Sequence, residues 1–176
     1  ELGISEFVAA NAGGLRDEDQ EPQDWIEIHN RGAVAVNLLG WSLTDNPRVP
    51  GQWTFPAVVL APGGRLVVFA SGKDRRNPSG ANRHHTNFKL GAFGEYLALY
   101  NAESPRRAVT EFAPAYPEQR RDHSYGLDPA GQWRYFATPT PGAANGPSTI
   151  GGLAPAPHFS VSRGLFDTPF NVGLTA

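Results

Sequence analysis

Five acidic residues, Asp17, Glu18, Asp19, Glu21 and Asp24, fall within eight positions, directly before an apolar alternation that opens at Trp25. Carboxylates crowded this closely can bind a hard cation, share a proton in acid–base chemistry, or stand in solvent. Calcium takes about six to eight oxygens, and its helix–loop–helix motif needs Gly at loop position six and a bidentate Glu at position twelve. Counted from Asp17, those positions hold Pro22 and Ile28, so that motif is excluded. An irregular calcium site built from Asp17, Asp19 and Asp24 is the metal reading that remains. Against it stands a solvated acidic loop in which Asp24 tethers the start of a strand through backbone hydrogen bonds. A catalytic carboxylate pair needs one member desolvated to raise its pKa, and five mutually repelling acids make a poor one.

The second charged cluster is basic. Lys73, Arg75, Arg76 and Arg83, with His84, His85 and Lys89, lie within seventeen residues. They could hold phosphate, nucleic acid or an acidic glycan, or simply stand in water. The formal net charge of −2 argues against nucleic acid as a partner. His84 and His85 are neighbours, and neighbours on a strand point to opposite faces, which makes them a poor zinc pair. The chain has no Cys, which removes thiolate chemistry and disulfides. Ser5, Ser42, Ser71 and Ser124 lack the Gly-x-Ser-x-Gly context of a nucleophile elbow. Trp25, Trp41, Trp53, Tyr96, Tyr100 and Trp133 could stack on sugar rings or fill a core. No catalytic set can be assembled from these residues, and calcium is the one cofactor that the sequence raises.

The elements that must position these groups are strands. Gly (20) and Pro (16) are scattered along the 176 residues, and both break helices. Short β-like runs recur at regular spacing, at 4–10, 25–30, 34–38, 41–44, 53–55, 65–70, 96–100, 109–112, 123–125 and 133–136. Turn signals such as Asn30-Arg31-Gly32 and Ala61-Pro62-Gly63-Gly64 separate them. In Trp25–His29, Ile26 and Ile28 face one way and Trp25, Glu27 and His29 the other, which predicts a strand with one core face. Leu66–Phe69 is continuously apolar and predicts a central strand covered on both faces. Trp41 is the candidate central core aromatic. The long polar segment from Ser71 to Asn87 reads as a loop. No run approaches the roughly 18 apolar residues of a membrane span.

Composition changes after Thr138, and the first module closes near residue 146. Residues 147–157 read as a Gly/Pro linker, and 158–176 alternate again, like the truncated start of a second β-module. A lone hairpin is marginal in water. These C-terminal strands are therefore expected to pair with their own domain or with a second copy. The chain opens without Met or a leader and reads as a piece of a longer protein.

Several phrases, taken in order, resemble the bacterial lamin-tail domain. They are Ile4–Asn11, Asp24–Asn30, Leu39–Asp45, Trp53–Pro56, Leu60–Gly63, His85–Leu90, Gly94–Leu99, Ser124–Gly126 and Thr138–Asn145. The resemblance runs over about residues 1–146 and implies an all-β, immunoglobulin-like β-sandwich without catalytic residues. Residues 159–174 resemble the first strands of the β-domain at the C-terminus of chitobiases and hexosaminidases. Together these resemblances imply a non-catalytic accessory, interaction or spacer module of a larger exported bacterial protein, secreted or displayed at the cell surface. Its expected partners are neighbouring domains of the parent chain or other surface proteins. The alternatives are a carbohydrate-binding module using surface aromatics on a polysaccharide, and a calcium-stabilised adhesion-type domain. The first predicts exposed coplanar aromatics on one face. A hydrolase, the remaining rival, predicts that two among Glu6, Glu27, Glu95 and Glu111 face a cleft.

Overall fold

A computed structural model describes residues 2–80, 83–147, 149–150 and 158–175. No helix occurs among the described residues, so none is long and apolar enough to cross a membrane. The larger sheet has six strands in the order β12-β11-β1-β2-β7-β8. These are β1 (Leu2–Val8), β2 (Trp25–Asn30), β7 (Arg65–Phe69), β8 (His84–His85), β11 (Ser124–Leu127) and β12 (Trp133–Phe136). The smaller sheet runs β10-β9-β4-β5, from β4 (Ser42–Thr44), β5 (Trp53–Thr54), β9 (Leu97–Tyr100) and β10 (Ala108–Phe112). A two-stranded ribbon joins β3 (Val36–Asn37) to β6 (Val59–Leu60). All pairings are antiparallel except that of β7 with β8.

The core lies between the two sheets. Ile4, Phe7, Ile26, Ile28 and Val68 from the large sheet meet Leu43, Trp53, Leu97 and Leu99 from the small one. A β-bulge sets which β1 residues point inward. Ile4 stands opposite Ile28, but the register shifts before Glu6, which stands opposite Glu27, while Phe7 stands opposite Ile26. Ser5 is the extra residue, and it lets Ile4 and Phe7 share the inner face despite their odd spacing. The backbone N–H of Ile4 donates instead to Thr110 Oγ1, 3.1 Å away.

The predicted alternation in β2 holds, with one difference. Ile26 and Ile28 join the main core, while Trp25 joins Val8, Val67 and Phe69 in a second apolar cluster on the outer face. Both faces of β2 are therefore covered. Central β7 is covered on both faces as expected, with Val68 inward and Val67 and Phe69 outward. Trp41 is only half-buried at the rim of the core, and the Trp that is wholly buried in the main core is Trp53. Its strand pairs with β4 and projects the indole between the sheets, whereas Trp41 sits just before β4 in a turn. The segment 71–87 is not all loop, because β8 lies within it.

At the C-terminal end of the chain, Ile150 bridges to Tyr135. Of the expected linker at 147–157, residues 148 and 151–157 lie outside the described residues. β13 (His158–Phe159) and β14 (Leu174–Thr175) pair with each other as a two-stranded sheet. Phe159, Leu165, Phe166, Phe170, Val172 and Leu174 are exposed.

Gly94 shows how tightly the loops are seated. Its φ is +90°, and a Cβ there would lie 2.3 Å from the Tyr116 carbonyl oxygen. Gly131 has φ +76° but open space around it. Gly94→Ala is expected to cost about 2 kcal/mol or more, from left-handed strain plus a backbone clash, and Gly131→Ala about 1 kcal/mol from the strain alone. Urea unfolding of the two variants checks the ranking.

Candidate functional site

The acidic and basic clusters meet. Residues 17–21 curl into a tight turn: Asp17 N–H donates to the Glu21 carbonyl at 3.0 Å, and Gln20 adopts φ 64°. Asp17 Oδ1 accepts the backbone N–H groups of Asp19 (2.9 Å) and Glu21 (3.0 Å). This curl brings the carboxylates of Asp17, Asp19 and Glu21 to within one ion's reach of each other. Lys73 Nζ occupies their focus, 2.5 Å from Asp17, 2.6 Å from Asp19 and 2.6 Å from Glu21. Arg75 spans Glu18 and Asp19, each at 2.7 Å. His85 Nε2 lies 3.1 Å from Glu18, and its Nδ1 lies 2.7 Å from Ser71 Oγ.

Of the three residues expected to ligate calcium, Asp17 and Asp19 come together, Glu21 joins them, and Asp24 does not. Asp24 accepts the Asn11 N–H at 2.8 Å, as the tethering reading expected. Burial raises its pKa to about 6, against the opposing Asn11 hydrogen bond and the charge of Lys89. The basic loop is also spoken for. Lys73 and Arg75 are bound by the acidic turn. Arg76 bonds Asp74 (2.8 Å) and Thr54 Oγ1 (2.9 Å), with its guanidinium 5.8 Å from the Trp53 ring centre. Arg83 lies 5.8 Å from the centre of Phe69.

The network holds the carboxyls of Glu18 and Asp19 below the usual carboxylate range. Burial pushes Glu18 upward, but its own backbone N–H, Arg75 and His85 outweigh that and bring it to about 2. Asp19 falls to about 2 through Arg75 and then Lys73. Burial pulls Lys73 down, and its three carboxylate bonds more than reverse that.

Ser71, His85 and Glu18 form a hydrogen-bonded Ser–His–carboxylate chain that local sequence could not reveal, because Glu18 is distant from the other two. Its geometry is that of a nucleophile, a base and an orienting acid, but its setting is not. Ser71 is only 5% exposed. Its Oγ also accepts the Lys73 N–H at 3.2 Å, and its backbone is bridged to Lys89. In addition, Gly72 N–H is committed to the Phe88 carbonyl and so cannot serve an oxyanion.

A second buried pair concerns the hydrolase expectation. Glu6 and Glu27 are cross-strand neighbours, both with no exposed surface. They are neither on open surface nor apart, yet they face a strap, residues 138–145, instead of a cleft. Glu6 accepts from Ser124 Oγ (2.5 Å), Thr140 N–H (3.1 Å) and Thr140 Oγ1 (3.1 Å). Glu27 accepts from Ser5 Oγ (2.6 Å) and Gly142 N–H (2.7 Å) and pairs with Arg65. Burial raises the Glu6 pKa, partly offset by its Ser124 and Thr140 bonds. Glu95 bonds Gly91 N–H and Tyr116 Oη, and Glu111 accepts from Tyr96 Oη.

None of the four Trp residues is exposed. Trp25 and Trp53 are buried, while Trp41 and Trp133 are half-buried. Trp133 stacks on Tyr125 with ring centres 5.6 Å apart. Of the aromatics that the sugar-binding alternative could use on one face, Trp53 is therefore withdrawn into the core, while Trp41 and Trp133 stay partly accessible.

Two packed sheets with a wholly non-helical set of described elements define an immunoglobulin-like β-sandwich, tied on its outer face by ion pairs. The model of the Lamin Tail Domain family matches residues 1–113, and the chain belongs to that family. No curated protein and no solved structure matches it.

Two outcomes are expected of the ion-pair network. Replacing Lys73 by Met leaves Asp17 buried without its cation and costs about 3 kcal/mol, the low end for a buried pair that loses one partner. Millimolar calcium raises the melting temperature of Lys73→Met more than that of the unaltered protein. The second outcome concerns pH. The folded value of Glu18, about 2, lies below its ordinary 4.5. Its contribution is therefore complete above that ordinary value and is lost as pH falls toward the folded one. The stability gap between the protein and Glu18→Gln is expected to be widest above pH 4.5 and to close by about pH 2, as read by denaturant midpoints across pH.

Proposed function

We propose that this chain is a non-catalytic interaction or spacer module of a larger exported bacterial protein, secreted or held at the cell surface. The observation that carries this reading is the fate of its reactive groups. Each chemically capable set placed by the fold, Ser71–His85–Glu18, Glu6–Glu27 and Asp17–Asp19–Glu21, is buried or neutralised in the act of fixing a loop. Membership of the lamin tail domain family, an immunoglobulin-like interaction domain, supports the same reading. Its partners are neighbouring domains of the parent chain or other surface proteins. Residues 158–176 are the start of a second β-module of the chitobiase C-terminal type, joined through the 147–157 linker. The exposed apolar side chains of its two described strands favour burial against further β-structure.

The non-catalytic reading is tested at its most vulnerable point, Ser71. A fluorophosphonate probe followed by peptide mass spectrometry is expected to leave Ser71 unlabelled in the folded protein. Labelling of Ser71 that disappears in His85→Ala would overturn the reading.

A further inference from the structure

Positive charge that the acidic turn does not consume gathers elsewhere. A cavity of about 430 Å³ opens at one end of the large sheet, where the end of β2, the start of β7, the β11–β12 turn and the closing strap converge. Its charged lining is His29, Arg31, Arg65 and Asp128. Asp128 is committed: Oδ1 accepts Ala130 N–H at 2.9 Å and Gln132 N–H at 2.8 Å, and Oδ2 lies 3.6 Å from Arg134 Nε. Arg31 forms no ion pair with any described residue. Its Nη2 lies over Gly3, where a Cβ would come within 3.2 Å of it.

Arg65 is held ready. Buried Glu27 and Ser5 Oγ both engage its Nη1, which anchors one end of the guanidinium, and its other N–H groups have no hydrogen-bond partner among the described residues. An arginine fork set by a buried carboxylate is pre-organised for a planar oxyanion, so less rotamer entropy is lost on binding. His29 reports the local field. Burial first, then the charges of Arg65 and Arg31, depress its pKa to about 4. The rest of the wall mixes polar Ser5 and Asn145 with apolar Leu127 and Ala144 and the Pro129–Gly131 turn, and contains no aromatic side chain. That volume exceeds what a bare oxyanion fills and falls within the usual range for small-molecule sites.

We propose that this cavity binds an acidic sugar unit, a single carboxylate or phosphate on a hydroxylated body, with the oxyanion on Arg31 and Arg65 and the hydroxyls toward the 129–131 turn. The site is distinct from the basic loop at 73–83, whose Lys73 and Arg75 face the acidic turn. It stands independently of whether the module also docks to other domains.

The test is ¹⁵N-resolved titration of the full 176-residue chain with glucuronate, glucose 6-phosphate, inorganic phosphate and uncharged glucose. Saturable shifts at His29, Gly131 and Asn145 are expected with one or both acidic sugars, and the His29 imidazole should titrate at a higher pH in their presence. Glucose should bind at least about tenfold more weakly, the loss of one charge-assisted hydrogen bond. Arg31→Glu, an exposed change that should keep the melting temperature, is expected to weaken binding by a similar factor or more. Three results would overturn the proposal: no saturable shift with either acidic sugar, equal affinity for glucose, or unaltered affinity in Arg31→Glu. Inorganic phosphate binding as tightly as glucose 6-phosphate overturns the sugar assignment. Which acidic sugar binds tells a carboxylate source from a phosphate one.

Discussion

Among the described residues three carboxylates, those of Glu6, Glu27 and Asp17, are buried, and none can stay there alone. Moving an unpaired charge out of water costs several kcal/mol, so each requires a cation or converging donors. Asp17 is met by Lys73 and two backbone N–H groups. Glu27 is met by Arg65, Ser5 and Gly142, and Glu6 by Ser124 and Thr140. Much of the outer layer of the large sheet follows from those requirements. The turn at 17–21, the segment carrying Lys73 and Arg75, and the strap at 138–145 are pinned where their partners demand.

This also explains why a sheet with polar outward positions is covered on both sides. Between the pinned loops, Trp25, Val67 and Phe69 find cover from Val8 and Leu15. The apolar cluster supplies the hydrophobic gain and the ion pairs supply position. A buried pair adds little net stability against an apolar substitute, but removing one partner is costly. The network is therefore better understood as fixing register and loop conformation than as the main source of stability.

Much of the strand pattern was legible from local signals. The Ile26–Ile28 alternation, the continuous Leu66–Phe69 run and the turn dipeptides act over a few residues, and they placed β2, β7 and their neighbours. The pairing of the two charged clusters was not legible. Glu18 and His85 lie 67 positions apart, and nothing in either segment names the other. The same holds for β8, two residues long, whose strand character comes from parallel pairing with β7 alone. Trp41 and Trp53 show a third limit: both sit beside strand residues in similar company, and only the tertiary arrangement decides which indole enters the core. The acidic stretch looked like an isolated feature, yet Asp17, Asp19 and Glu21 are one half of a contact with Lys73.

The strap has a mechanical consequence. Thr140 and Gly142 are bound to carboxylates on β1 and β2, the central strands of the large sheet, and Asn145 donates to the Leu127 carbonyl at 2.8 Å. A pulling force applied to the chain beyond Ile150 is delivered first to the Ile150–Tyr135 bridge and then to this short series of side-chain clips. It reaches the backbone ladder of β1 and β2 only after those clips have parted. The exit of the sandwich thus behaves as a graded tether, yielding in small steps before the sheet itself bears load.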